Sequence, residues 1–214
     1  MGLYEDRILP RIVDVALSGK RIGRLREAVT AGLDGEVLEV GFGSGRNVAF
    51  FPPEVSRVLA VEPASGGRTL ADRRVAAGSI PVDYIGLDGQ QLPLDDESVD
   101  HVLSTWTLCT IPDVDRALAE MRRVLRPGGT FHFVEHGRSS DPKVARRQDR
   151  FTPPWRRIAG GCHLNRPIDS IITDAGFDLT DLETFSTPGP RIFNSMYRGV
   201  ATSPGSTPDG APPV

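Results

Sequence analysis

The stretch Glu39-Val40-Gly41-Phe42-Gly43-Ser44-Gly45 combines an acid with three closely spaced glycines directly after a β-rich run, residues 36–40. Glycines at this spacing let the backbone turn sharply and bring main-chain amides against a bound group. The pattern is not a dinucleotide fingerprint, because G-x-G-x-x-G would place its third glycine at position 46, where Arg46 stands. No G-x-x-x-x-G-K-S/T phosphate loop occurs either. Two further acids close the next β-rich runs. Glu62, followed by Pro63, comes about 20 residues after the glycines, where a carboxylate can accept from both hydroxyls of a ribose. Asp88, before Gly89 and Gln90, is placed to accept from the exocyclic amine of a purine, although an Asp before Gly is also an ordinary turn residue.

Two more strand ends carry chemistry. Thr105-Trp106 ends a fourth run and Glu135-His136 a fifth. His136, with Glu135 as partner, is the candidate base or acceptor-orienting group; the alternative is that the pair merely bonds backbone at the strand end. His101 and His132 lie inside strands and read as structural. Cys109 follows Trp106 by three positions and can line the same entrance or pack behind it. Cys162 reads as a small buried thiol and His163 as part of a pocket wall. No CxxC or other ligand spacing is present, so no metal is expected. The arginines at 138, 146, 147, 150, 156 and 157 read as a solvated helix face, and Phe151, Pro153, Pro154 and Trp155 as a candidate apolar lid over an acceptor.

The elements that must position these groups follow from patterning. Residues 36–40, 57–61, 82–87, 99–104 and 130–134 are short β-rich runs. Helices are expected between them over 45–51, 66–77 and 113–125. The last has Asp113 or Asp115 to cap it, an apolar stripe through Val114, Leu118, Met121, Val124 and Leu125, and Pro127-Gly128-Gly129 to stop it. Strands alternating with helices argue for an α/β, doubly wound parallel sheet, which gathers ligands at the carboxyl ends of its strands. Those ends carry the glycine turn at 41–45, Glu62, Asp88, Thr105-Trp106 and Glu135-His136. Residues 3–30 read as mostly helical, with Ile8, Leu9, Ile12, Val13, Val15, Ala16 and Leu17 on an apolar face and Gly19 as a stop. A helix over 168–175 halted by Gly176 and two late strands, near 178–185 and 191–200, complete the chain.

Composition bounds the rest. The chain has 214 residues, 25 basic and 28 acidic side chains and a net charge of −3, ordinary for one globular domain and without the global field that grips nucleic acid. The expected division is a single domain over 1–202, with its helical segment over 1–34, and a disordered Pro/Gly-rich tail over 203–214. Two cysteines, no apolar run long enough to span a bilayer and no signal-like N-terminus lead to an expectation of a cytoplasmic protein with no stable membrane insertion.

The segments VLEVGFGSGRN, VEP, GLDGQQLPLDDESVDHVLS and EMRRVLRPGGTFHFVEH, in that order, resemble the class I S-adenosylmethionine-dependent methyltransferases of the type 11 kind. The resemblance covers about residues 36–136 and implies a Rossmann-like, three-layer α/β/α fold with seven strands, the last antiparallel. It implies S-adenosyl-L-methionine as cofactor, S-adenosyl-L-homocysteine as product and a small-molecule acceptor. Glu39 with Gly41, Gly43 and Gly45 would face the methionine part. Glu62, beside Pro63, would hold the ribose, while Asp88, Gly89 and Gln90 would frame the adenine. Thr105 and Trp106 would stand beside the cofactor at the acceptor entrance. STWTLCTIPDVDRALAEMRRVLRPGGTFHFVEHG, the PPWRRIAGGCHLNRPI region and the late strand ending RGVA are most similar to the small methyltransferases that act on alkyl thiols. The chain departs from that group in lacking an apolar N-terminal anchor. Quinone and sterol C-methyltransferases share the LPLDDESVD-type stretch, so the expected acceptor is a thiol, with a phenol, amine or quinone as the alternative, and a non-catalytic binder of the cofactor as the rival from another class.

Overall fold

Strands β1 (Gly35–Val40) and β4 (Val99–Thr105) lie side by side and parallel at the centre of one seven-stranded sheet, with Val40 level with Ser104. The computed structural model describes residues 2–203. From β1 the chain winds outward one way through β2 (Val55–Val61) and β3 (Val82–Gly86), then returns to β4 and winds the other way to β5 (Leu125–His136). The full order is β3-β2-β1-β4-β5-β7-β6, with β6 (Asp178–Ser186) at the far edge. β7 (Ser195–Thr202) runs antiparallel to both of its neighbours, as the resemblance implied. The direction of winding reverses between β1 and β4, the place where open α/β sheets leave a crevice for a ligand.

Side chains alternate across each strand, so the central strands feed two separate cores. Leu38, Val40 and Leu59 pack with Leu118 and Met121 of α4 (Val114–Val124) and with Ile168 and Ile172 of α6 (Ile168–Asp174). On the opposite face Val37, Val58 and Ala60 pack with Val29 of α2 (Lys20–Thr30) and Ala71 of α3 (Ser65–Ala77). Helix, sheet and helix form three layers. Asp113 caps α4 by accepting the Arg116 amide at 3.1 Å, and the helix ends at Val124, so Pro127-Gly128-Gly129 opens β5 instead of halting the helix directly.

Two expectations need correction. No α-helix forms over 45–51: that segment is a chain of turns closed by i to i+3 bonds, such as Val48 N–H to Gly45 O at 3.3 Å and Phe50 N–H to Asn47 O at 2.8 Å. Gly45 has a left-handed φ of +70°, Pro52-Pro53 follows closely, and the Asn47 side chain is drawn into buried hydrogen bonds. The arginine-rich stretch is a 17-residue helix, α5 (Pro142–Ile158), capped by Asp141 and anchored by a buried stripe of Val144, Ala145, Gln148 and Thr152. Its arginines at 146, 147, 150, 156 and 157 are exposed, the solvated face read from sequence. Phe151 points to solvent and Trp155 packs on Phe193 with centroids 4.7 Å apart, so neither forms a lid.

At the N-terminal end a π-helical turn (Tyr4–Ile8) leads into α1 (Leu9–Ala16), and Gly19, at a φ of +102°, separates α1 from α2. The apolar face of α1 is not packed into the core: Ile8, Ile12, Val13 and Val15 are exposed. No helix among the described residues is long and apolar enough to cross a membrane. Of the tail expected over 203–214, Ser203 is buried and its amide donates to the Gly129 carbonyl at 3.2 Å; the others lie outside the described residues.

Candidate functional site

A cavity of about 600 Å³ opens at the carboxyl ends of β1, β2 and β4. Its size is that of a small-molecule site. The turn after β1 forms its floor. Gly41 and Gly43 have φ of +80° and +58°, a region that side-chain-bearing residues enter at a cost. A Cβ at Gly41 would run into the Thr107 side chain, whereas one at Gly43 would meet only the Gly41 carbonyl, at 3.8 Å. The open side of Gly43 is therefore room for something other than protein.

Glu62 closes β2 on the same rim. Its carboxylate accepts the Gly43 amide at 2.6 Å and the Ala64 amide at 2.8 Å, which fixes the glycine turn to the start of α3. Burial raises its pKa, against those two hydrogen bonds. Two accepted bonds leave further lone pairs on the carboxylate for a ligand hydroxyl. Pro63, Asp88, Gly89 and Gln90 also line the cavity. Asp88 Oδ1 accepts both the Gln90 amide and its side-chain nitrogen, at 2.9 and 2.8 Å, and Gln90 Oε1 in turn accepts the Asp113 amide at 2.9 Å. Thr105 and Trp106 line the wall beyond β4. Trp106 adopts a φ of +53°, a strained conformation held by its amide's 2.9 Å bond to the Val134 carbonyl.

Glu39, Gly45 and His136 stand outside this lining. Glu39 is buried beneath the turn, where Oε1 accepts from Asn47 Nδ2 at 2.8 Å while Oε2 has no partner among the described residues. Burial pushes its pKa up to about 8, against the Asn47 bond and the nearby Arg26 charge. Gly45, with a φ of +70°, lets the turn pack on Ala71 and Phe42. His136 faces away: its Nε2 lies 3.2 Å from Cys162 Sγ. The partner expected for it, Glu135, is fully buried and spends Oε1 on the Ser104 hydroxyl and the Thr107 and Leu108 amides, at 2.8, 2.9 and 3.2 Å. That arrangement bolts β5 to the turn after β4 and does not serve the imidazole, so the structure brings no His136–Glu135 base pair to the cavity. Cys109 packs with Cys162 and Leu164 and does not line the entrance.

Sequence reasoning missed several lining groups. Arg26, from α2, is 6% exposed, donates to Asn47 Oδ1 at 2.7 Å and lies with its guanidinium carbon 4.9 Å from the Trp106 ring centroid. Its Nε is buried with no partner among the described residues, and burial lowers its pKa to about 10. Asp14 of α1 accepts from the Ser44 hydroxyl and from Arg46 Nε at 2.7 Å, with Arg74 3.1 Å away. Asp6 accepts the Ser65 amide and hydroxyl at 2.8 and 2.7 Å, and Tyr4 donates to the Ile158 carbonyl at 2.8 Å. These bonds strap residues 4–16 across the mouth, so that Leu9, Pro10, Val13 and Leu17 become apolar lining opposite Trp106, Ile111 and Pro112. The exposed apolar residues of α1 gave the only sequence signal for the strap.

The site has a polar half, built from carboxylates, turn amides and an arginine with a free donor, and an apolar half. The open Gly43 cradle, the lone pairs left on Glu62 and the unpartnered Arg26 Nε fit an amino-acid-bearing nucleoside.

The methyltransferase-domain family matches residues 38–133, the stretch that supplies most of this rim. The chain is 33% identical over 176 residues to thiol S-methyltransferase TMT1B of Rattus norvegicus, across 76% of this chain and 70% of that protein. It is 35% identical over 211 residues to a malonyl-acyl-carrier-protein O-methyltransferase of Methylococcus capsulatus, across 86% and 72%. Among solved structures, an S-adenosylmethionine-dependent methyltransferase from Mesorhizobium loti superposes with a TM-score of 0.62 at 19% identity, covering 85% of this chain and 97% of that one, a likeness of fold.

Proposed function

The chain belongs to the class I S-adenosylmethionine-dependent methyltransferases, close to the thiol S-methyltransferases, and from that premise we propose that its acceptor is a small apolar thiol. One observation carries the choice of acceptor: among the described residues the cavity lining holds no His, Lys, Tyr or Cys. Its carboxylates at Glu5, Asp14, Glu62 and Asp88 are already engaged with arginines, a hydroxyl or amides. A hydroxyl or amine acceptor needs a base to take its proton, whereas a thiol of pKa about 8.5 arrives partly as thiolate near neutral pH. His136 is accordingly not retained as a base.

The cofactor supplies a sulfonium-bound methyl group open to in-line displacement. The work left to the protein is positioning and exclusion of water. In this reading Glu62 accepts from ribose hydroxyls, and Asp88 with Gly89 and Gln90 borders the adenine. The amides of the Gly41–Gly45 turn, with Arg26 and Thr105, meet the amino-acid end, and Glu39 acts from beneath by fixing Asn47. Pro63 shapes the rim behind Glu62. Trp106, Leu9, Val13 and Ile111 provide the apolar half in which the thiol sits and from which α1 keeps water.

The test is transfer of labelled methyl from S-adenosylmethionine to a panel of alkyl thiols, phenols, amines and quinols. Thioether formation with apolar thiols is expected; transfer to phenols, amines or quinols alone would overturn the thiol assignment. Calorimetry on Glu62→Ala should show S-adenosylhomocysteine binding weakened by about 1–3 kcal/mol, the cost of losing a charged acceptor. Unchanged affinity would remove Glu62 from the ribose site.

A further inference from the structure

Cys109 Sγ, a ring nitrogen of His136 and Cys162 Sγ lie within 4.8 Å of one another, and none of the three residues lines the cavity. Three separate elements bring them together: the turn after β4, the end of β5 and the turn after α5. An imidazole and a second cysteine flank Cys162. His136 Nε2 is 3.2 Å from its sulfur, and the Cys109 sulfur, whose thiol donates to the Trp106 carbonyl at 3.8 Å, lies within 4.8 Å of it. Trp155 Nε1, a donor buried with no hydrogen-bond partner among the described residues, is near enough to Cys162 to help lower its pKa. An imidazole nitrogen 3.2 Å from the sulfur, with a second sulfur within 4.8 Å, suits a thiolate paired with an imidazolium. The same contacts lower the pKa of Cys162 and raise those of His136 and Cys109. Arg166, whose guanidinium donates to the Leu108 and Ile111 carbonyls, adds positive charge, and buried Glu135 is the acid within range. Cys162, at 8% exposure, is the more reachable sulfur; Cys109 is at 2%.

We propose that Cys162 is a redox modification site: a thiolate that reacts with hydroperoxides and is then resolved by Cys109 into a disulfide. In the first step the Cys162 sulfur attacks the peroxide, an S–O bond forms and the O–O bond breaks. The departing hydroxide or alkoxide takes the proton of the His136 imidazolium, leaving a sulfenic acid. In the second, the Cys109 sulfur attacks the sulfenic sulfur, S–S forms and S–O breaks, and the expelled hydroxide leaves as water with the Cys109 proton. The two sulfurs give up two electrons in all and the peroxide is reduced. The crosslink would tie the wall segment containing Thr107, Thr110 and Ile111 to the one containing Ala159 and Gly160.

The experiment uses the full chain treated with hydrogen peroxide, then denatured, alkylated and mapped by mass spectrometry. Loss of both free thiols and a single Cys109–Cys162-linked peptide are expected, the chain having only these two cysteines. In Cys109→Ser the reaction should stop at a sulfenic acid on Cys162, trapped by a 1,3-dione. His136→Gln should slow the loss of the Cys162 thiol severalfold at pH 6, marking His136 as a positioning residue. Survival of both thiols, or oxidation confined to Cys109, would overturn the proposal. So would a protein that purifies with an equivalent of zinc and whose cysteines react only after chelation, because the trio would then be a metal site.

Discussion

Glu39 and Glu62 are two buried acids at neighbouring strand ends, and their surroundings divide their work. Glu62 spends both oxygens on amides and keeps lone pairs at the cavity rim. Glu39 leaves one oxygen unpartnered beneath the turn and has a pKa near 8, well above the usual carboxylate range. A group that holds its proton more tightly when folded stabilises the fold fully below its unfolded pKa, and that contribution is lost as pH rises through the folded value. Stability should therefore fall between about pH 5 and pH 8, and Glu39→Gln should flatten that fall by up to about 2 kcal/mol between pH 6 and pH 8. Urea denaturation of both proteins at the two pH values checks this; equal slopes would mean that Glu39 is ionised in the fold. Glu62 and Asp88 were legible in the sequence because each closes a β-rich run. Arg26 was not, since in KRIGRLREAVT it looks the same as Arg21 and Arg24, which are exposed. Only the Trp106 ring and Asn47, far along the chain, distinguish it.

At the scale of elements, α1 is the informative piece. It carries apolar residues on a face that meets no core, and its attachment to the body runs through Asp6, Asp14 and Tyr4. Hydrogen bonds to Arg46, Ser44 and Arg74 outweigh the effect of burial and lower the Asp14 pKa, so this latch holds at neutral pH and weakens in acid. Because ligand exchange passes the strap, Asp14→Asn should speed release of S-adenosylhomocysteine by about 5-fold, the effect of an interaction near 1 kcal/mol. Stopped-flow dissociation measures it, and an unchanged rate would show that exchange avoids the strap. The sequence revealed that residues 3–30 were helical but not that they fold over the mouth, because an apolar helix face reads the same whether it covers a core or a cavity. The turns at 45–51 were hidden for the opposite reason: their conformation is imposed by Asn47 and Arg46 reaching distant partners, Glu39 and Asp14.

For the whole molecule, alternating strands and helices were enough to expect a doubly wound sheet, and the antiparallel strand entered through family resemblance. The Cys109–His136–Cys162 grouping could not be read in advance, since no local spacing joins residues from three elements. The order of the sheet has a consequence for how the protein is made. β7, the last of the seven strands in the sequence, is not an edge: it sits between β5 and β6 and hydrogen-bonds to both. Until it leaves the ribosome, β6 has no partner, and β5 presents an open edge beside Phe131 and Phe133, the kind of surface on which nascent chains aggregate. A chain stopped after Ser186 should therefore lose cooperative unfolding by circular dichroism, although it retains every residue that lines the cavity; a sharp transition in that fragment would refute this. Synthesis thus completes the catalytic half first and leaves it dependent on a closing strand that arrives last.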